Sequence, residues 1–194
     1  IPNADRTEIE PSSTDATKFY ALIDNSLNGQ ADIFITTNTF TTITALPEPD
    51  DADTGISATD FTRGQAFYDL VVEADPTNDA IVYIGGIDLF RSDNSGTTWA
   101  QISKWSNNNN LAALPVSLVH ADQHGFVFRP GNNNQAIVAH DGGVDYCTSL
   151  STSGTTATFV TMETDYITTQ FYRAAISPFA TTGTTSETIM GGTQ

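Results

Sequence analysis

The sequence is short of most residues that anchor common protein chemistries. It has 194 residues and one cysteine, Cys147, so no internal disulfide can form and a cysteine-based metal centre could draw one ligand at most. Lysine and arginine together number 7 against 23 acidic residues, a formal net charge of −16. A chain so poor in cations lacks the basic patches that nucleic acids and anionic membrane surfaces attract, which argues against both as partners. Long apolar runs are absent too. None approaches the roughly 18–20 residues of a membrane-crossing helix, and the first residues do not read as a signal peptide. Helical recurrence of apolar residues at i, i+3 and i+4 is scarce.

What is present points to strands. The hydrophobic share is 39 %, with 11 Phe, 6 Tyr and 2 Trp, so the chain is no disordered acidic tail and can bury a core. Threonine is the most used residue, and asparagine clusters at Asn107–Asn110 and Asn132–Asn134. Thr, Phe and Tyr favour strands; Asn and Gly favour turns. Short apolar or alternating runs recur between Gly, Asn, Asp and Pro, among them Phe19–Ile23, Ala31–Thr36, Phe67–Glu73, Ala80–Ile84, Gly125–Phe128, Ala136–Ala139 and Thr158–Met162. That pattern predicts an all-β sandwich, barrel or propeller.

Internal repetition separates the three. Four segments share one plan: a strand, a Pro-containing turn, a second strand and a pair of small residues. Their prolines, Pro11, Pro76, Pro130 and Pro178, stand 65, 54 and 48 residues apart. A drifting period near fifty with about four strands per unit predicts propeller blades. The strand before each Pro is then the innermost of its blade. The reading gives blade 1 at about 5–46, an acidic loop at 47–64, blade 2 at about 65–105, blade 3 at about 116–165 and the start of a fourth blade at about 166–194. A second motif runs Ser92-Asp-Asn94-Ser-Gly96-Thr-Thr98-Trp99. In it Asn folds onto nearby backbone N–H groups, Gly takes a conformation a Cβ resists, and Trp packs between blades. Thr36 to Ile43 is a degenerate copy in which Phe40 replaces the turn glycine and Ile43 the tryptophan, so a remodelled hairpin is expected there. Ser151 to Phe159 reads as a third, poorly kept copy. These boxes are structural, and no chemistry is assigned to Ser92, Asn94, Gly96, Thr98 or Trp99.

On these residues the chain resembles secreted bacterial Asp-box (BNR-repeat) β-propellers related to sortilin ectodomains and xyloglucanase-type glycosidases, most of all large Bacteroidetes-type surface proteins. The resemblance is carried by Val82 to Ser92 leading into the box, Val119-His-Ala-Asp-Gln-His124, His140-Asp-Gly-Gly143, Thr169-Gln-Phe-Tyr172 and Gly191-Gly-Thr-Gln194. His140 stands where the group has Asn, and the group continues the last motif as Asp-Asn-Gly. The resemblance implies an all-β, partial β-propeller of about three blades plus the start of a fourth, on the outer surface of a bacterium or outside it. Blades of roughly fifty to sixty residues, at least four to a closed ring, agree: this length cannot close a propeller. The missing initiator Met points the same way, and the remainder of the same propeller is the first expected partner.

The histidines mark the candidate site. His120, His124 and His140 fall within 21 residues, beside Asp122 and Asp141. On an extended strand His120, Asp122 and His124 would share one face and line the axial channel or its mouth, with Gln170 and Tyr172 at the matching offset of the next blade. Their Cα span of roughly 13 Å keeps both histidines off one metal ion unless a bulge bends the strand; His120 with Asp122 remains a metal candidate. Satisfying one another and buried water in the channel is the plainer role of this group. Asp122 and Asp141 are also candidate catalytic acids, but nothing in their spacing selects a glycosidase pair. Arg6, Arg63, Arg91, Arg129 and Arg173 are too spread for the arginine cluster of a sialidase, and no nucleophile elbow is present. In the acidic loop Asp50, Asp51 and Asp53 offer hard oxygen ligands to calcium, without the pattern of an EF-hand; a solvated loop is the commoner outcome. Trp105 and the asparagines after it read as an exposed rim loop. No cofactor is predicted. The expected function is a non-catalytic secreted or cell-surface module for binding or displaying protein or glycan. The alternative is a xyloglucanase-like polysaccharide hydrolase with part of its active site elsewhere.

Overall fold

Short runs of β-branched and aromatic residues, stopped every few positions by Asn, Gly or Pro, leave the backbone little choice but strands and tight turns. The computed structural model describes residues 3–150, 157–162, 164, 173–176 and 189–192, the last two segments and Asn109 as backbone. Among the described residues the helical structure is one 3-10 turn, Asn109–Ala113.

Three four-stranded antiparallel sheets follow one another along the chain, each with its strands in sequence order. The first holds β1 (Ala4–Pro11), β2 (Phe19–Asn25), β3 (Gln30–Thr36) and β4 (Thr44–Leu46); the second β5 (Val71–Ala74), β6 (Val82–Gly85), β7 (Leu89–Ser92) and β8 (Ala100–Gln101). After β9 (Ser103–Lys104) and β10 (Ser117–Leu118), a short parallel pair, the third holds β11 (Gln123–Arg129), β12 (Asn132–His140), β13 (Gly143–Ser149) and β14 (Thr158–Thr161). The first strands lie side by side, β5 between β1 and β11. These residues belong to one unit ending at Thr164; a second unit, Asp165–Gln194, contains the antiparallel pair β15 (Arg173–Ile176) and β16 (Ile189–Gly192).

The core lies between the sheets, and strand alternation assigns its members. On the second sheet Leu70, Val72, Val82 and Ile84 face Tyr20, Leu22 and Ile33 of the first, while Val71, Tyr83 and Leu89 face Phe126, Val138, Cys147 and Phe159 of the third. A sheet covered on both sides needs apolar residues on both, which is why Ala80–Ile84 reads as a continuous apolar run. The outer faces of the first and third sheets stay apolar: Ile9, Phe40 and Ile43 on one, and on the other the exposed members Val127, Ile137 and Val160 of a cross-strand row completed by Tyr146.

Polar side chains tie the Pro-turn ends together. Ser12 Oγ accepts from the amides of Thr14 and Asp15, and Asp75 Oδ1 from those of Thr77 and Asn78, so two different residues close equivalent turns. Lys18 Nζ reaches from the first sheet to Asp79 at 3.0 Å, and Asn133 Nδ2 from the third to Asp75 at 2.8 Å.

In the Ser92–Trp99 hairpin, Ser92 Oγ accepts from the amides of Asn94 and Gly96, while Asn94 bonds the amide of Thr98 through Oδ1 and Thr98 Oγ1 through Nδ2. Trp99 packs against the first sheet and donates to Pro47 O at 2.7 Å. The hairpin at Thr36 to Ile43 is not remodelled, contrary to the expectation from Phe40. Thr36 Oγ1 accepts from the amides of Asn38 and Phe40, and Asn38 holds Thr42 through both amide atoms. Phe40 takes φ 61, in the left-handed region; its ring lies 5.1 Å from Phe19. The side-chain network, common to both hairpins, outweighs the roughly 1–2 kcal/mol that a Cβ costs in this conformation. Asn38→Ala and Asn94→Ala are therefore each expected to lower stability by about 1–3 kcal/mol, read as a lower urea midpoint at unchanged slope. A loss at Asn38 no greater than that of the exposed change Asn107→Ala would refute a shared network.

Candidate functional site

The start of β1 and the segments leading into β5 and β11 meet at one end of the sheets, joined there by the tight turn between β12 and β13. Arg6, on β1, donates to the carbonyl oxygens of Tyr68 and Leu70, and to Glu8 through Nε at 3.0 Å. That fixes Tyr68, whose Oη donates to Asp141 Oδ1 at 2.7 Å. His124 Nε2 lies 2.7 Å from the same oxygen, and its ring meets Tyr68 edge-on at 4.7 Å. Partial burial works against the charge of Asp141, but the hydrogen bonds from Tyr68 and His124 prevail and hold its carboxyl below the usual range.

The neighbouring acids are pushed the other way. Burial, then the charge of Asp141, raises Asp122, whose backbone carbonyl accepts from the Asp141 amide at 3.2 Å. Asp69 is fully buried, and no neighbouring side chain donates to either of its oxygens. Burial and then the charge of Asp122 push it up to about 8, so it is largely protonated at neutral pH. One ionised carboxylate thus sits beside two carboxyls that hold their protons more tightly than free ones.

His120, Asp122 and His124 do not share a strand face. β11 begins at Gln123, Asp122 is left-handed at φ 65, and the register slips between Gln123 and Gly125. The anchor is Gln123, fully buried; its Nε2 donates to His120 O at 2.7 Å and Ile87 O at 3.3 Å, and its amide to Gly86 O. The small-residue pair ending β6 makes room for it, since a Cβ on Gly85 would meet Gln123 Cβ at 2.8 Å. The bend sends the histidines apart. His124 turns to Asp141 and Tyr68; His120 lies over Gly142, where a Cβ would meet its ring at 2.6 Å, and stacks on His140 with centroids 5.8 Å apart.

On that outer side His140 Nε2 lies 3.6 Å from Asp145 Oδ2, both side chains buried. They line a cavity of about 550 Å³ with His120, Trp105, Leu118 and Phe159, between the third sheet and the segment of the β9–β10 pair. Among the described residues no three His, Cys, Asp or Glu side chains come together as a metal site would require. Gln170 and Tyr172 lie outside the described residues.

The acidic loop is not uniformly solvated. Asp51 is buried, its Oδ1 taken by the amide of Asp53, and burial pushes it up to about 6. Asp53 accepts from Gly55 N and, at 3.1 Å, from Trp105 Nε1. Trp105 is therefore half-buried against the loop rather than free on a rim. Asp50 is exposed. Asp145 is one of the acids that the sequence places near the presumed mouth, with Asp122 and Asp141, whereas Arg6 and Asp69 give little sequence signal; their importance comes from contacts between sheets, which spacing along the chain does not encode.

A fold built of consecutive four-stranded antiparallel sheets around adjoining first strands is that of part of a β-propeller. A GH74 enzyme of Niastella koreensis superposes over 84 % of this chain and 23 % of its own, with a TM-score of 0.51 and 17 % identity. The GH74 xyloglucanase of Xanthomonas campestris gives 77 %, 21 %, 0.48 and 14 %, and YCF48 bound to a D1 peptide 88 %, 43 %, 0.44 and 9 %, in the same order. The chain thus spans less than half the length of each. No protein-family model matches the sequence, and no curated protein does.

The protonation pattern has a measurable sign. A carboxyl that keeps its proton when folded and loses it when unfolded stabilises fully below its unfolded pKa, and that contribution is lost as pH rises through the folded value. For Asp69 the window runs from about 4 to about 8; Glu73, raised mainly by burial to about 7, and Asp51 act in the same sense. Asp69→Asn is expected to raise the melting temperature at pH 8.5 and to leave it nearly unchanged at pH 4.5. Parallel melting profiles across this range for both proteins would contradict the assignment.

Proposed function

We propose that the chain is part of a non-catalytic β-propeller module, exposed on or released from a bacterial surface, that binds or displays protein or glycan partners. The observation that carries the reading is that Asp141 is already engaged within the protein: its Oδ1 accepts from Tyr68 Oη at 2.7 Å and lies 2.7 Å from His124 Nε2. A glycosidase needs two carboxyls free to act on sugar and water, roughly 5–9.5 Å apart. The surface location rests on the lysine-poor, Thr- and Asn-rich composition and on the resemblance to Asp-box propellers of Bacteroidetes type. The remainder of the same propeller covers the apolar outer faces of the first and third sheets, since Ile9, Phe40 and Ile43 on one and Val127, Ile137 and Val160 on the other are large and exposed.

The protein is expected to bind specific spots on glycan or protein arrays and to release no reducing sugar from β-glucans or xyloglucan. Turnover of either polysaccharide that disappears in Asp122→Asn or Asp141→Asn would overturn the reading in favour of a xyloglucanase-like hydrolase.

A further inference from the structure

The outer face of the first sheet is hollowed rather than flat. Ile9, Phe19, Ala21, Phe34, Phe40 and Ile43 line an apolar groove of about 250 Å³ there, more than the roughly 150 Å³ that holds benzene in a protein interior. Ile9, Phe40 and Ile43 are large and exposed, and together on one face they mark a contact surface.

Strand register shows which surface it is. The turns closing β1–β2 and β5–β6, 12–18 and 75–81, are equal in length and held by equivalent amide bonds. Pro11 and Phe19 therefore correspond to Ala74 and Val82, and the row Ile9–Ala21–Phe34 to Val72–Ile84–Phe90. On the second sheet those positions receive the first sheet. The groove is thus the face on which a preceding sheet stands.

The two described interfaces agree on what a preceding sheet brings. The second residue of its second strand is a tyrosine, Tyr20 in β2 and Tyr83 in β6, and both are buried, 1 % and 2 % exposed. Tyr20 packs on Ala74 and Val82 and donates from Oη to Asp79 O at 2.6 Å. Tyr83 stacks on Phe126 with centroids 4.9 Å apart and meets Phe128 edge-on at 5.6 Å. A ring with a polar tip suits a surface that is apolar within and offers carbonyls at its turn end. Phe40 adapts the first sheet to the same guest. At the corresponding Gly96 a Cβ would meet Leu46 Cδ1 of the first sheet at 2.5 Å, so glycine there makes room for a leucine; Phe40 fills that room from its own side and sets its ring 5.1 Å from Phe19.

We propose that the groove receives a tyrosine, the second residue of the second strand in the sheet that stands before the first in the same propeller. Its ring lies against Phe19 and Phe40, and its hydroxyl donates to the carbonyl of Ala16, which corresponds to that of Asp79. The inference rests on the reading of the chain as part of a propeller and names the residue that the remainder supplies. Ala16 has no carboxylate, so Lys18, which accompanies Tyr20 to Asp79, needs no counterpart. A second copy of the chain would bring something else: the second-strand member of its exposed outer row is Ile137.

Photocrosslinking in the full-length protein tests the proposal, with p-benzoylphenylalanine in place of Phe40. The main product is expected within one molecule, on a strand whose second residue is tyrosine, and changing that tyrosine to alanine is expected to lower the yield at least fivefold. If the labelled protein does not fold, the same label in place of exposed Ile43 carries the test. A crosslink within the molecule to a strand without that tyrosine, a yield unmoved by its removal, or no crosslink from either position overturns the proposal and leaves the propeller's binding role standing. A crosslink to a second molecule overturns it and also takes this face away from the remainder of the propeller. Polysaccharide turnover would remove the binding reading whatever the groove holds.

Discussion

Everything in this structure depends on the second sheet being apolar on both faces. Its strands carry Leu70, Val72, Val82 and Ile84 toward one neighbour and Val71, Tyr83 and Leu89 toward the other, so it is buried only when sheets stand on both sides of it. Hydrophobic burial has no preferred direction, but strand alternation gives it one, because successive side chains leave opposite faces. With three sheets stacked in this way, β5 lies between β1 and β11, and the start of β1 is brought to the segment leading into β5 and to the turn at Asp141. The site follows from the packing: Arg6, Tyr68, Asp122 and Asp141 are far apart along the chain and meet because the sheets do.

The same packing creates an electrostatic difficulty that the chain solves with protons rather than with cations. Seven basic residues cannot pair 23 acidic ones, and several carboxyls are nevertheless buried. Desolvation penalises the charged form, so Asp69, Asp51 and Glu73 hold their protons to higher pH. Asp88, fully buried, is raised well above the usual range by burial and then by the charge of Asp51, and its oxygens accept from Ser103 Oγ and Gln101 Nε2. Asp141 is the counterexample: it is half-exposed and supplied with two donors, so it stays ionised. In an acid-rich chain, which carboxylates keep their charge is decided by the donors the fold delivers, and these are few.

The all-β class and the propeller architecture were legible because they are properties of pattern: alternation, punctuation by Asn, Gly and Pro, and a Pro-turn repeat. Position-specific geometry was less so. Phe40 looked incompatible with the turn it occupies because glycine is the usual solution there, yet Thr36 and Asn38 supply enough side-chain hydrogen bonds to hold a phenylalanine at φ 61. The histidine run is plain in the sequence, but its division into two arms depends on Asp122 turning left-handed and on Gln123 locking against Gly85 and Ile87 of the preceding sheet. Asp69 was invisible for a similar reason. Nothing in Phe67-Tyr-Asp-Leu70 distinguishes a surface aspartate from a buried one; the distinction is made by Arg6 and Asp122, 63 and 53 residues away.

That division bears on where a ligand is to be sought. A polar group already bonded within the protein must surrender those bonds before it binds anything else, and gains little by the exchange. Along the axis Asp141 is bonded to Tyr68 and His124, and Arg6 is bonded to the two carbonyls that position Tyr68. This inner arm behaves as a clasp that holds the leading ends of the first strands in register. The outer arm differs: a sizeable cavity with an aromatic wall lies there, and the unpartnered Oδ1 of Asp145 is closed off beside it. The histidines therefore mark two different things, His124 a structural clasp and His120 the edge of an open cavity. One tight turn, His140 to Gly143, separates them.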